Sequence, residues 1–320
     1  ETLNVTSPDA MTIVDSSDTA LRGVTSFTFD SETADKKITA TDIDIAGTTG
    51  TDDSVTATIV GAGDVDLSFT DGGSSFDAAD ADQLTVNTTG ATGTTTFTVT
   101  EADLAYDYNG GAGVDDITFN TNVDDGSDFS FGGGNDNVDL KGNVLATAGQ
   151  VALAGGDGED TLDFGAQDLS ATTVQSGSPG DTSDDDSISG FETIEFEAKL
   201  ANGGAADLTR TIDVSQAEGV ETVKFEAENN DTSDAAGSGG EDVTVAVSGL
   251  TSDQTVQGSF KESTAGNNDE FVTLQHGDGS GTSDSLTFES VASSAGTAHV
   301  NAIQKLTATT STGSVETLEI

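Results

Sequence analysis

Three glycine-rich turns in the middle of the chain each lead into an aspartate that precedes alternating apolar residues. Residues 110–118 read GGAGVDDIT and residues 155–163 read GGDGEDTLD, while residues 131–139 keep the pattern except that Phe131 stands at the first glycine position. Glycine permits tight turns that side chains would strain, so backbone carbonyl groups can be aimed at one point. Carbonyl and carboxylate oxygens together suit a hard cation such as Ca²⁺, which takes about six to eight oxygen ligands.

These turns resemble the calcium-binding nonapeptide repeat of secreted RTX proteins of Gram-negative bacteria. The resemblance implies that Asp115, Asp136 and Asp160 are the leading carboxylate ligands for several Ca²⁺ ions. It also implies a wider set of neighbouring acidic groups and turn glycines at the ions, namely Asp116, Asp139, Asp157, Asp163, Gly110, Gly113, Gly132, Gly134, Gly155 and Gly158. Repeats of that family run in tandem, whereas these three aspartates are 21 and 24 residues apart. We therefore expect isolated calcium-binding turns on larger coils.

Elsewhere the same signal is weaker. An aspartate also precedes alternating residues at positions 53, 82, 186 and 284. Degenerate glycine- and acid-rich segments lie at 72–77, 181–186, 239–242 and 277–284. Taken singly, each of these segments is explained by a solvated loop or by an aspartate that caps a strand after a turn.

The segments that must position these turns read as β-strands. Short runs of β-branched and aromatic residues alternate with a period of two, for example at 24–29, 94–100, 243–247 and 285–288. The best helix candidate, 200–206, contains two adjacent glycines and is not convincing. The first six aspartate motifs recur at intervals of 21 to 33 residues, which suits the coils of a β-solenoid. The expected fold is all-β, an elongated β-solenoid or parallel β-helix-like array, with tandem β-sandwich domains as the alternative.

A second repeat has the form apolar-Glu-Thr-apolar-x-apolar. It occurs at 191–196, 220–225 and 315–320, and the chain also opens on it at residues 1–5. Because the sequence begins and ends inside this repeat, we expect an excerpt of a longer repetitive protein. The expected segments are an N-terminal β-rich segment (1–107), an RTX-like calcium-binding segment (108–200) and a C-terminal β-rich segment (201–320).

The charge of the chain excludes some classes of partner. The sequence has 58 Asp and Glu residues against nine Lys and Arg residues, a formal net charge of -49, so a compact fold repels itself unless cations neutralise it. Specific divalent sites and a solvated acidic surface both explain this acidity. The basic residues are scattered, so nucleic acid is not an expected partner. The sequence has no cysteine and no apolar run long enough to span a membrane, so neither a disulfide framework nor a membrane span is expected.

Catalytic signatures are missing from the sequence. Neither H-E-x-x-H nor G-x-S-x-G occurs, and the only two histidines are His276 and His299. A calcium-dependent polysaccharide lyase or epimerase is the main enzymatic alternative, but such an enzyme needs clustered basic groups to hold an acidic sugar and to stabilise a carbanion. We therefore expect no enzymatic activity.

The threonine-rich, acidic and cysteine-free composition resembles that of calcium-dependent surface-layer proteins of Gram-negative bacteria. This second resemblance extends over the whole chain. Together with the RTX-like turns it implies a secreted structural protein of the cell surface or biofilm matrix, which assembles with copies of itself and has cell-surface polysaccharide as a further candidate partner. The alternatives are a calcium-dependent polysaccharide-binding or polysaccharide-modifying module and an adhesin stalk.

Overall fold

The structure is a computed structural model, and it describes most of the chain. The described residues are 1–14, 24–45, 54–71, 82–101, 104–122, 126–141, 151–167, 173–175, 187–200, 208–215, 219–229, 243–262, 270–276, 285–290, 305–310 and 317–319. Every regular element within these ranges is a β-strand. None of the described residues forms a helix that is long and apolar enough to cross a membrane.

The strands follow the alternating segments of the sequence. They are β1 (Thr2–Ser7), β2 (Met11–Val14), β3 (Ser26–Ser31), β4 (Lys37–Ile45), β5 (Ser54–Gly61), β6 (Asp64–Asp71), β7 (Gln83–Ala91), β8 (Thr95–Val99), β9 (Ala105–Asn109), β10 (Asp115–Phe119), β11 (Asp128–Ser130), β12 (Asn137–Asp139), β13 (Ala152–Ala154), β14 (Thr161–Gln167), β15 (Thr173–Gln175), β16 (Ser187–Ser189), β17 (Thr193–Leu200), β18 (Leu208–Asp213), β19 (Thr222–Asn229), β20 (Val243–Leu250), β21 (Thr255–Glu262), β22 (Glu270–His276), β23 (Ser285–Ser290), β24 (Lys305–Thr310) and β25 (Thr317–Glu319).

Neighbouring described strands pair in parallel in 21 pairs, which include every step of the three sheets except that from β14 to β17. The chain forms two compact units, of which the first comprises Glu1–Asp163 with Ser183–Phe191 and the second comprises Phe164–Thr182 with Glu192–Ile320. The expectation of an all-β fold is thus confirmed. Tandem β-sandwiches do not describe these sheets, because sandwiches are built from antiparallel strands.

In the first unit, successive strands alternate between two sheets. One sheet has the order β1-β3-β5-β7-β9-β11-β13-β16, and the other contains β2-β4-β6-β8-β10-β12 followed by the first residues of β14. We call two consecutive strands, one from each sheet, a rung. Neighbouring strands within a sheet therefore belong to successive rungs, so equivalent residues of successive rungs stack in register.

The core of the first unit consists of the inward-facing residues of these stacked strands. In the second sheet, one column is formed by Leu67, Phe97, Ile117, Val138 and Leu162, which are paired in register and buried. Alternate residues of a strand point to opposite faces, so the apolar member of each alternating pair is buried while the Thr, Asp or Asn member faces outward. This arrangement explains why only 33% of the residues are hydrophobic and a continuous core still forms.

Aromatic side chains dominate the middle of this core. Tyr108 lies between Phe97, whose ring centroid is 5.9 Å away, and Phe131, at 5.5 Å. Phe129 packs edge-on against Phe119 at 5.1 Å and lies 6.4 Å from Tyr108. Rings at these separations contribute more than their buried area alone, typically about 0.5–1.5 kcal/mol per pair. The two sheets of these rungs are therefore held together by aromatic contacts.

The second unit uses the same principle. One sheet has the order β15-β18-β20-β22-β24, and another run of strands has the order β17-β19-β21-β23-β25. Two copies of the Glu-Thr repeat pair in register here, with Thr193 opposite Thr222 and Phe196 opposite Phe225. The carbonyl oxygen of Glu192 accepts a hydrogen bond from the Thr222 N–H at 2.8 Å. The repeat therefore marks the start of equivalent strands in successive rungs.

Candidate functional site

Three aspartates form a column inside the first unit. Asp115 begins β10, and Asp136 and Asp160 immediately precede β12 and β14. Strand β12 pairs in register with β10 on one side and with β14 on the other. Each aspartate lies two residues before an apolar core residue, so its side chain points to the interior and not to solvent. Their exposed fractions are 2%, 1% and 0%, respectively. The structure thus brings the three leading predicted ligands together, on the buried face of the sheet.

One carboxylate oxygen of each aspartate is held by a protein donor. The Asp136 Oδ1 accepts a hydrogen bond from the Asp115 N–H at 2.8 Å, and the Asp160 Oδ1 accepts one from the Asp136 N–H at 2.8 Å. The Asp115 Oδ1 accepts its hydrogen bond from the hydroxyl group of Tyr108, also at 2.8 Å. By contrast, the Oδ2 atoms of Asp115 and Asp136 are buried and have no partner at hydrogen-bond geometry. The hydroxyl groups of Thr95 and Thr88 lie near the Asp115 carboxyl group and lower its pKa.

Burial makes ionisation of Asp115 and Asp136 unfavourable. Desolvation raises the pKa of Asp115 to about 7, although the hydrogen bond from Tyr108 opposes this rise and the charge of Asp136 adds to it. Desolvation likewise raises the pKa of Asp136 to about 6, opposed by the hydrogen bond from the Asp115 backbone and assisted by the charge of Asp160. Carboxyl groups at these two positions are therefore stable either in the protonated, neutral form or in the ionised form with a cation nearby.

The turn glycines form columns of their own next to the aspartates. A Cβ atom on Gly134 would overlap the carbonyl oxygen of Gly113, and one on Gly158 would overlap the carbonyl oxygen of Gly134. The same close approach recurs in earlier rungs. A Cβ atom on Gly113 would overlap the carbonyl oxygen of Gly93, and one on Gly93 would overlap the carbonyl oxygen of Gly63. Glycine is therefore required here by the close approach of successive rungs, and the requirement begins two rungs before the first RTX-like turn.

The remaining predicted glycines also connect successive rungs. The Gly110 N–H donates to the Ser130 carbonyl at 2.6 Å, and the Gly155 N–H donates to the Ser189 carbonyl at 2.9 Å. Gly132 has a positive φ of 91°, and its carbonyl accepts a hydrogen bond from the Asp157 N–H at 2.8 Å. These backbone hydrogen bonds fix the turns beside the aspartate column.

The four weaker acidic candidates lie apart from the column. Asp116, Asp139 and Asp163 alternate with inward-facing residues and are half-buried on the outer face of the sheet. There the Asp116 Oδ1 accepts a hydrogen bond from Asn137 at 3.2 Å, and the Asp139 Oδ1 accepts one from the Lys141 N–H at 2.7 Å. Asp157 is exposed in its turn. The column therefore contains only the three leading aspartates among the seven predicted acidic residues.

The capacity of the site for a cation depends on backbone oxygens. Within the ranges that the structure describes, no group of three or more His, Cys, Asp or Glu side chains is arranged to hold one metal ion. A cation at the column would thus combine the Oδ2 atoms of Asp115 and Asp136 with carbonyl oxygens, water or both. Ca²⁺ accepts such mixed oxygen coordination.

Sequence reasoning missed three residues of the site, Tyr108, Thr95 and Thr88, whose side chains interact with the Asp115 carboxyl group. Thr95 is in register with Asp115 and is buried above it in the preceding rung. The alternation of Tyr106 and Tyr108 with polar residues is a signal that Tyr108 faces inward, but no pattern in the sequence pairs its hydroxyl with Asp115. The degenerate segments at 72–77, 181–186, 239–242 and 277–284 lie outside the described residues.

Comparisons with known proteins add no assignment to this geometry. No protein-family model, no curated protein and no solved structure matches the chain. The interpretation of the site therefore rests on the contacts of its own residues.

Proposed function

We propose that this chain is a secreted, non-enzymatic structural protein whose units are β-solenoids stabilised by Ca²⁺ and which assembles with copies of itself in a surface layer or matrix filament. The observation that carries the proposal is the column of Asp115, Asp136 and Asp160. Three carboxylates in successive rungs are buried at positions where an apolar residue would be cheaper to bury. Such groups are buried at low cost only when they are protonated or when a cation compensates for the lost hydration, and we propose the cation.

Calcium fits the residues that are present. The Oδ2 atoms of Asp115 and Asp136 are buried with no partner at hydrogen-bond geometry, and desolvation disfavours their negative charge. A divalent cation held by the Oδ2 atoms of Asp115 and Asp136 would supply the positive charge that these carboxylates lack, and backbone carbonyl oxygens or water would provide its further ligands. The chain's own contribution is to hold the Oδ1 atoms on protein donors and so leave Oδ2 for the ion.

The magnitude of this effect suits an extracellular protein. Extracellular calcium modules bind at about 10⁻⁴ to 10⁻³ M. At a calcium concentration ten times the dissociation constant, each independent site adds roughly 1.4 kcal/mol to the free energy of unfolding. A few such sites are comparable with the total stability of a domain. Folding is then expected to wait until export, where calcium is abundant.

Assembly follows from the same electrostatics. Copies of a chain with a net charge of -49 repel one another at low ionic strength. Bridging cations remove this repulsion, and unpaired strands at sheet edges offer backbone groups for contacts between copies. The assembly is therefore expected to form in millimolar calcium and to dissolve in a chelator.

The test compares two triple variants with the parent chain. In the first, Asp115, Asp136 and Asp160 are replaced by Asn. In the control, the outward-facing Asp116, Asp139 and Asp163 are replaced by Asn, so both variants lose three carboxyl groups. Circular dichroism and native mass spectrometry with and without calcium measure folding and bound ions. We expect the parent and the control to take up Ca²⁺ and gain stability, and the first variant to lose ions.

Light scattering and electron microscopy of the parent chain then test assembly. Identical assembly in excess EGTA and in millimolar calcium contradicts the proposed role. Equal ion uptake by the two triple variants contradicts the assignment of the site to the buried column.

A further inference from the structure

The first aspartate of the column is held differently from the other two. In Asp136 and Asp160, Oδ1 accepts a hydrogen bond from the backbone N–H of the aspartate in the preceding rung. The residue that precedes Asp115 in the stack is Thr95, and its N–H donates instead to the carbonyl oxygen of Val114, at 2.8 Å. The Thr95 N–H is the backbone donor equivalent to those that bind Asp136 and Asp160, but it already donates to another acceptor. The Asp115 Oδ1 therefore has no backbone donor from the preceding rung.

Tyr108 supplies the replacement. It lies on the opposite sheet, in the strand β9 of the same rung, and its hydroxyl donates to the Asp115 Oδ1 at 2.8 Å. The residue is 1% exposed, and its ring is fixed between Phe97, Phe129 and Phe131. Because these neighbours fix the ring, its hydroxyl group cannot move to another acceptor without displacing them.

We infer that Tyr108 is a positioning residue for divalent-cation binding: its hydroxyl occupies the Asp115 Oδ1 and thereby leaves Oδ2 as the oxygen that binds the first ion of the column. This inference rests on the proposed calcium-stabilised structure. It assigns a role to a side chain outside the glycine-rich turns and predicts that one ion depends on an aromatic residue of the facing sheet. Residues that orient metal ligands typically change metal affinity by about 10-fold to 100-fold when removed.

The composition of the chain provides a direct readout. The sequence has two tyrosines and no tryptophan, and both tyrosines lie in β9, so tyrosine fluorescence reports on this strand alone. Tyr106 is a matched control, because it is also buried but its hydroxyl donates to the Glu101 carbonyl at 3.1 Å and not to an aspartate. Emission of a phenol changes when the charge of its carboxylate acceptor is compensated by a cation.

The experiment titrates Ca²⁺ into the parent chain, Tyr108→Phe and Tyr106→Phe, with ion uptake measured by native mass spectrometry. We expect Tyr108→Phe to bind one ion on the order of tenfold more weakly than the parent and the other ions unchanged. Tyr106→Phe is expected to bind as the parent does. In Tyr106→Phe, where Tyr108 is the only tyrosine, the emission is expected to change with the same calcium midpoint as ion uptake, and Asp115→Asn in that background is expected to abolish the change.

The outcomes separate the two proposals. If the parent chain takes up no calcium, both the proposed function and the role of Tyr108 are wrong. If the parent binds calcium and Tyr108→Phe binds it with the same affinity, only the role of Tyr108 is wrong. Should Tyr108→Phe fail to fold, the emission of Tyr106→Phe decides: no change in emission while calcium binds overturns the inference, and a change that depends on Asp115 supports it.

Discussion

Raising the pH without calcium should destabilise the first unit through Asp115. The folded-state pKa of this carboxyl is about 7, above its ordinary value of 3.8, because burial disfavours the charged form. Protonation therefore favours the folded chain. The contribution of Asp115 to stability is fully present below about pH 4 and is lost as the pH rises through 7. Asp136, with a pKa raised to about 6, acts in the same direction.

The size of the effect follows from the shift at Asp115. A change in pKa from 3.8 to about 7 corresponds to about 4 kcal/mol of unfolding free energy between the fully protonated and fully ionised states. The pH slope of a single group is at most about 1.4 kcal/mol per pH unit. Replacing Asp115 by Asn removes this titration and retains an Oδ1 acceptor for Tyr108. The stability of the parent relative to Asp115→Asn should therefore fall by about 4 kcal/mol between pH 4 and pH 8.5.

The assay is denaturant unfolding in EGTA at fixed ionic strength, followed by circular dichroism, for the parent, Asp115→Asn and Asp116→Asn. Acidification also reduces the overall repulsion of the chain, and Asp116→Asn controls for this effect because its side chain lies on the outer face one residue away. In excess calcium, the pH dependence assigned to Asp115 should shrink, since the cation competes with the proton. The assignment to Asp115 is wrong if the difference in stability between the parent and Asp115→Asn stays constant with pH in EGTA, or if the difference for Asp116→Asn changes equally.

Three further predictions concern the scaffold. Gly158→Ala should cost at least about 3 kcal/mol of unfolding free energy, because its Cβ would overlap the Gly134 carbonyl of the preceding rung. Gly126→Ala is the control: φ is 79° there but no atom lies within 4 Å of the added Cβ, so it should cost only about 1 kcal/mol. Equal losses for the two variants would contradict the close stacking of the rungs. Phe129→Ala should cost about 3–5 kcal/mol in denaturant unfolding because Phe129 contacts rings from both sheets, and a loss below about 1 kcal/mol would show that the aromatic core is not formed. Lys224→Ala should lower the unfolding free energy by less than about 1 kcal/mol, because the two side chains of its ion pair with Glu195 are more than a third exposed, although the Lys224 Nζ lies 2.6 Å from a Glu195 oxygen. A decrease above about 1 kcal/mol in denaturant unfolding at high salt would contradict this.

Strand identity was predictable from local patterns. The predicted segments at 94–100 and 285–288 coincide with β8 (Thr95–Val99) and β23 (Ser285–Ser290) to within two residues. Alternation of apolar with Thr or Asp residues was sufficient, because side-chain direction in a strand has a period of two. The weak helix candidate at 200–206 lies, apart from Leu200 in β17, outside the described residues.

Parallel register and burial were harder to predict. The recurrence of the aspartate motif indicated that Asp115, Asp136 and Asp160 occupy equivalent positions, but it placed them at turns. Their frame within the strands puts them on the inner face instead, where the same spacing that buries Ile117 and Val138 also buries the carboxylates. The inward-facing position of each aspartate is also evident from the sequence, because each aspartate lies two residues before an apolar position of its strand.

Local sequence preferences account for the strands, which follow from alternation, for the turns, which follow from glycine, and for the repulsion among 58 acidic residues. Which of these groups come into contact depends on the fold as a whole. The hydroxyl of Tyr108 reaches Asp115 across two sheets, and Gly63 and Gly93 belong to the same glycine column as the later turns. Such contacts depend on the stacking register of separate rungs, which is set by long-range backbone pairing and core packing and which no short window of sequence encodes.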